Sequence, residues 1–154
     1  MEAQLSGELV GEVVDQVAFD VESGKIREFA RATFVEDPVH TDRAAAREAG
    51  FDDVPATPTH VVVAGHQRDQ RAFVERLGLA LERVVVGSVR WRYLRPLLAG
   101  DSLHGVRRVV RDERREGKRG GSMRMVTLET EYVDAEGAPV VRQLEVLIER
   151  GKSA

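Results

Sequence analysis

From Arg83 to the end of this chain the apolar residues recur at every second position, and that change of period constrains the fold more than any other feature. Val89, Trp91 and Tyr93 alternate with Arg90 and Arg92, the pattern of a half-buried strand with one wet face. Pro96–Asp101 turns the chain, Leu103–Val110 reads as a second strand, and Arg111–Gly121 as a highly charged hairpin loop. Val126, Leu128, Thr130 and Tyr132 share one face of a third strand. Asp134-Ala135-Glu136-Gly137 is a turn by composition, and Val140, Leu144, Val146 and Ile148 define the final strand.

Before Arg83 the pattern is mostly helical. Val13–Val21 reads as a strand, after which Ser23 is placed to cap a helix whose stripe is Ile26, Phe29, Ala30 and Thr33. Thr41 or Asp42 caps a second, short helix through Ala44–Ala49, and Gly50 suits its left-handed end. Val54-Pro55-Ala56-Thr57-Pro58 is a loop, because two prolines this close interrupt both ladders and helices. Thr59 to about Leu77 is the longest helix-like segment, with Gly78 as its stop; the valines at 61–63 also fit a strand, and length favours the helix. Strand, helices, then a meander of about four strands implies an α+β fold rather than a parallel α/β sheet.

Composition excludes several classes of function. The chain has 154 residues, the length of one domain, with a core expected over about 11–150 and short flexible termini. It has no cysteine, which removes disulfides, thiolate catalysis and Cys-ligated metals. A net charge of -3 with interleaved signs gives no reason to expect a nucleic-acid partner. The N-terminus lacks a basic region followed by an apolar one, and no run approaches the roughly 18–20 apolar residues that span a bilayer. The expectation is a soluble, cytoplasmic protein with no membrane partner.

The run Asp37-Pro38-Val39-His40-Thr41-Asp42 is the strongest candidate for chemistry, since a histidine exchanges protons near neutral pH and carboxylates orient it. His40 is either a site residue or a turn histidine at a helix entrance, and Asp37 either a catalytic group or an Asx-turn residue. Asp42 reads as a helix cap. His60 and His66 lie six apart and share no helical face, so no metal site is expected from them; His60 sits where it could line a pocket, and His66 interrupts the core helix. His104 carries no motif. The cations of the 111–119 loop, Arg114, Arg115, Lys118 and Arg119, are interleaved with Asp112, Glu113 and Glu116 and read as a solvated hairpin tip.

Several motifs in order carry a resemblance. They are Lys25-Ile26-Arg27-Glu28-Phe29-Ala30, the run Asp37–Asp42, Ala45-Ala46 with Gly50-Phe51, Pro55-Ala56-Thr57-Pro58-Thr59, and Arg95-Pro96-Leu97-Leu98-Ala99-Gly100-Asp101. Together these resemble the MaoC-like acyl dehydratases, or R-specific hydratases, and most closely their N-terminal-type domain as in mycobacterial-type 3-hydroxyacyl-acyl-carrier-protein dehydratase subunits. The resemblance implies a hot-dog fold, an antiparallel sheet of about five strands wrapped around one long central helix. It also implies reversible water addition to a 2-enoyl thioester of coenzyme A or acyl carrier protein; the residues offer no candidate ligand set for a metal or redox cofactor, so none is expected.

Catalytic members of that family read roughly G-D-x-N-P-x-H. Here the histidine falls on His40, the proline on Pro38 and the Asn on Asp37, but the Gly-Asp pair falls on Phe34-Val35. The family's A-H-G at the helix start falls on Ala56-Thr57-Pro58, and proline has no N–H to offer a thioester oxyanion. The resemblance thus assigns catalytic roles to His40 and Asp37 and substrate binding to Pro58, Thr59, His60 and Gly50. It implies a subunit that supports a catalytic hot-dog chain, in a homodimer or a heterodimer with a second MaoC-like chain. A self-sufficient homodimer using His40 and Asp37, or a non-catalytic acyl-coenzyme A-binding module, are the alternatives. A thioesterase of the same fold would need a carboxylate near the helix start, and Thr57-Pro58-Thr59-His60 offers none.

Overall fold

A computed structural model describes residues 4–5, 9–116 and 121–151. Most of the two termini expected to be flexible, and residues 117–120 of the charged hairpin, Lys118 and Arg119 among them, lie outside the described residues. The strands are β1 (Gln4–Leu5), β2 (Val13–Asp20), β3 (Val84–Tyr93), β4 (Ser102–Glu116), β5 (Ser122–Val133) and β6 (Pro139–Arg150). All pair antiparallel, in the order β2-β4-β5-β6-β3, with β1 continuing the β2 edge along β4. Helices α1 (Ser23–Ala32), α2 (Arg43–Glu48) and α3 (Gln70–Arg76) and a 3-10 segment, His60–Gln67, lie between β2 and β3 in the chain and supply the other half of the core.

Where the apolar pattern is clean, the elements follow it. Val126, Leu128, Thr130 and Tyr132 are all buried on one face of β5, and Arg90 and Arg92 are exposed between the half-buried Val89, Trp91 and Tyr93. Asp42 caps α2, its Oδ1 accepting from Ala44 N (2.6 Å) and Ala45 N (3.2 Å), and Gly50 ends the helix at φ +92°.

Five local expectations change. Ser23 is the first residue of α1 rather than its cap; Glu22 holds the cap position, without a side-chain hydrogen bond. The expected single long helix is divided into the 3-10 segment and α3, with Arg68 extended between them (φ -105°, ψ 140°). Asp69 causes part of this, because its carboxylate accepts from Ala72 N at 3.0 Å and starts a new helix. Arg68 causes the rest by turning into the core to meet Asp15 and Tyr132. His66 is consequently exposed, not a polar break in a core helix.

The charged stretch 111–116 is strand, not loop. Asp112 and Glu113 are buried there, and Arg124 on β5 holds Asp112 with two hydrogen bonds of 2.9 and 2.7 Å. In β6 the face opposite to the expected one packs inward beyond Val140: Val141, Gln143 and Leu147 are buried while Leu144, Val146 and Ile148 are half-buried behind them. The inward face carries Gln143 and Glu145, so hydrophobicity alone selects the wrong parity.

Candidate functional site

Asp37 occupies the cap of a short 3-10 turn, Pro38–His40, and its Oδ1 accepts from Val39 N at 3.0 Å. Proline suits the first position because its missing N–H leaves no donor unsatisfied. His40 closes the turn, half-buried, with Nδ1 2.8 Å from the carbonyl of Pro55. A carbonyl only accepts, so Nδ1 carries the proton that it donates to Pro55 O, leaving Nε2 turned away from this bond.

Pro55 is itself held from the far side. Val54–Ala56 pairs with Leu97–Ala99 through a bridge between Pro55 and Leu98 and through Ala56 N to Leu97 O (2.8 Å) and Ala99 N to Val54 O (2.9 Å). Arg95 donates to both oxygens of Asp101 (2.7 and 3.0 Å), and the same carboxylate accepts from Leu98 N at 2.8 Å. Gly100 N bonds Val21 O at 2.8 Å, tying the turn to the end of β2. The Arg95–Asp101 motif therefore acts on the site at a distance: it shapes the strand piece that holds Pro55, which orients His40.

Among the described residues, the other groups expected from the resemblance are not found in this arrangement. Helix α1 ends in a Schellman motif, Phe34 N to Arg31 O at 3.2 Å and Val35 N to Ala30 O at 2.8 Å. That motif wants glycine at its left-handed residue, and Phe34 stands there at φ +58° and 90% exposed. Val35 follows, with no proton to exchange. Asp37 is engaged by Val39 and exposed, and among the described residues no carboxylate bonds to His40.

The four residues expected to bind substrate differ in their surroundings. Pro58 and its neighbour Thr57 line an open depression of about 370 Å³ with Tyr93, Leu94 and Arg95. The Tyr93 hydroxyl donates to Pro58 O, and burial, with Tyr132 nearby, pushes its pKa up to about 12, so it remains a donor. Thr59 is exposed at the start of the 3-10 segment. His60 is fully buried, edge-on to Phe29 (5.3 Å) and 6.0 Å from Phe19. Neither of its ring nitrogens, nor Thr57 Oγ1, has a hydrogen-bond partner among the described residues. Burial, aided by the charge of Lys25, lowers the His60 pKa to about 4, so the ring is neutral. Gly50 serves the end of α2.

A second polar group lies under α3 and was not singled out from sequence. Arg68 pairs with Asp15 and donates to the Tyr132 hydroxyl (3.1 Å); Arg107 donates to Thr130 Oγ1 (3.0 Å) and pairs with Glu145 (3.2 Å). The Arg107 guanidinium also lies 4.8 Å from the centre of the Phe73 ring. The available signal was parity: Arg107 follows Leu103 and Gly105 on the buried face of β4.

A family model described as FAS1-like, dehydratase domain region matches residues 8–143. A UPF0336 protein of Clavibacter michiganensis subsp. michiganensis is 39% identical over 149 residues, 96% of this chain and 97% of that one. Another from Thermobifida fusca is 37% identical, covering 86% of this chain and 85% of its own length. Among solved structures, a C-terminally truncated HadBC (3R-hydroxyacyl-ACP dehydratase) complex from Mycobacterium tuberculosis matches with TM-score 0.73 and 24% identity, over 87% of this chain and 94% of that chain. The ChsH1-ChsH2 complex of the same organism matches with TM-score 0.65 and 21% identity, over 93% of this chain and 99% of that chain. At such identities the structural likeness establishes the hot-dog fold of the MaoC-like dehydratases and hydratases. The match over most of the sequence goes further: the chain belongs to the FAS1-like dehydratase-domain family.

Proposed function

We propose that this chain is the supporting subunit of a two-chain enoyl-thioester hydratase, the reverse of a 3-hydroxyacyl-thioester dehydratase. The observation that carries this reading is an oriented histidine to which no carboxylate bonds among the described residues: His40 is held by Pro55 O, Val35 stands at the acidic position, and Asp37 caps Val39. Water addition needs one group to take a proton from water and another to deliver one to the thioester enolate, with donors at its oxygen. This chain offers one such group and, at Pro58, no N–H. Two of the hot-dog matches are complexes of two different chains, which supports pairing with a second hot-dog chain that carries an intact motif. The substrate class is a 2-enoyl thioester of coenzyme A or acyl carrier protein, and the site of action is the cytoplasm.

The test is hydration of 2-enoyl-coenzyme A followed by loss of the enoyl absorbance. The chain alone is expected to be inert, and activity is expected on adding a partner with the intact motif. His40→Ala in this chain is expected to lower the rate of that assembly by less than about tenfold, because a true general base is worth roughly 10²–10⁴-fold. Full activity of the chain alone, lost in His40→Ala, would overturn the proposal in favour of a self-sufficient homodimer.

A further inference from the structure

Strand β3 is one edge of the sheet, and among the described residues it pairs only with β6. Its far edge therefore presents N–H and C=O groups to whatever strand can meet them. The two sides of β3 differ. On the inner side Val84, Val86, Val89 and Trp91 line a cavity of about 300 Å³ under α3, whose floor carries the charged Arg68 and Arg107 group. Val86 is 57% exposed, although it belongs to this apolar row. On the outer side stand Arg90 and Arg92, both exposed. Arg90 lies opposite Leu144 of β6, and Arg92 opposite Arg142, whose own partner is Glu131 at 2.8 Å. The arginines flanking the strand are answered within the chain, Arg83 by Glu149 (2.7 Å) and Arg95 by Asp101 (2.7 Å). Among the described residues Arg90 and Arg92 form no such pair.

A second copy of the chain fits this edge poorly. Residues directly opposite in an antiparallel pair share one side of the sheet, and like charges there are destabilising. Two copies of β3 related by a two-fold axis at Arg90, Trp91 or Arg92 set arginine against arginine. An axis at Val89 separates them by placing Arg90 against Ser88. That register, however, lays the irregularity between Val86 and Ser88 of each copy into the shared ladder, where an extra residue is left unpaired. The opposite edge, β2, offers no pair of carboxylates either: it exposes Gln16, Ala18 and Asp20, and Asp20 already accepts from Ser102. The matching strand has apolar residues toward the cavity and carboxylates against Arg90 and Arg92.

We propose that the free edge of β3 pairs with a strand of a different chain that alternates apolar and acidic residues, its carboxylates meeting Arg90 and Arg92. The two arginines thereby select a different chain over a second copy. The proposal rests on the two-chain reading above and names the chemistry of the contact. Arg90 and Arg92 choose the partner and take no part in the hydration step.

Sedimentation of the native chain, of Arg90→Glu/Arg92→Glu and of their equimolar mixture reads the selection, with the charge-reversed chain serving as the acidic strand. The mixture is expected to associate at least about tenfold more tightly than either chain alone, because the cross-strand pairs change from like to opposite charge. The gain is expected to vanish at about 1 M salt, where screening acts within about 3 Å. Trp91, the one tryptophan of the chain, is expected to change its fluorescence on association, which locates the contact at β3. In the two-chain assembly the same reversal is expected to weaken pairing at least about tenfold. Should the reversed chain not fold, a blocked peptide alternating valine and glutamate is expected to bind the native chain at least about tenfold tighter than one alternating valine and lysine, read through Trp91. Equal binding of the two peptides, a native chain that self-associates as tightly as the mixture, or unchanged pairing of the reversed chain with its partner overturns the proposal. If the assembly hydrates 2-enoyl-coenzyme A while the reversal leaves its pairing unchanged, the edge assignment fails and the subunit reading stands. If the charge selection is found but no assembly turns over, the subunit reading fails and the edge assignment stands.

Discussion

His60 and the Arg68–Arg107 group are both buried against the same sheet, and the molecule keeps them in opposite ways. His60 sits between Phe19 and Phe29 in the core cluster near α1, without a hydrogen-bond partner for either ring nitrogen. It is tolerated because it can shed its charge: burial lowers its pKa to about 4. An arginine has no such route, as it keeps its proton in any protein environment. Burial draws the Arg107 pKa down, and Arg68 adds to this, yet both side chains are present only with a carboxylate against each. Ionisable groups can thus be buried by neutralisation or by pairing, and each route leaves its own signature in pH dependence and mutational cost.

The paired group is most vulnerable to the removal of one partner. Arg107→Met leaves Glu145 charged and buried, and is expected to destabilise the chain by about 3–5 kcal/mol in urea unfolding, most of it recovered in Arg107→Met/Glu145→Leu. Recovery of none of it would mean that Arg107 works through its contacts with Thr130 and Phe73 instead.

The histidine is expected to show itself through pH. The unfolded chain takes up this proton near pH 6.5 and the folded chain only near 4, so stability should fall as the pH drops through that window. The difference amounts to roughly 3 kcal/mol, fully lost below the lower value. His60→Leu should flatten this part of the curve while changing stability little at pH 7. An unchanged slope in the variant would show that carboxylates alone govern the acid limb.

Smaller effects bear on the orientation of His40. Asp101→Ala removes three charge-assisted hydrogen bonds at a partly exposed site and is expected to cost about 1–2 kcal/mol. It should also shift the His40 ring signals in NMR, since the strand piece holding Pro55 loosens. Phe34→Gly is expected to stabilise the chain by about 1 kcal/mol, because a bulky residue in the left-handed region is strained and Phe34 is otherwise exposed. A loss of stability on that change would mean that the ring packs in solution.

Much of this was legible in the chain. The period of two after Arg83 placed β3, β4 and β5, and Asp42 with Gly50 bounded α2, because those features are local: alternation, caps and left-handed glycines act within a few residues. The Asp37–His40 turn was also legible, including the Asx-turn bond in which Asp37 accepts from Val39 N. The parity of β6, the break at Arg68 and the continuation of β4 through Arg111–Glu116 were not. Each depends on charges whose partners lie far along the chain, Arg68 with Asp15, Arg107 with Glu145 and Arg124 with Asp112, and polarity by itself reads such residues as surface.

Local pattern in the chain set the α+β order of elements, the antiparallel meander and the family motifs, with Val35 and Pro58 at the positions where the resemblance expects an acid and a donor. The tertiary structure alone decided that His40 is aimed by Pro55, that the Arg95–Asp101 motif works through that contact, that His60 is sealed in the core, and that the cavity under α3 has a charged floor. The physical reason is range: backbone preference and periodicity are written in neighbouring residues, whereas the environment of a buried charge is set by whatever the fold brings against it.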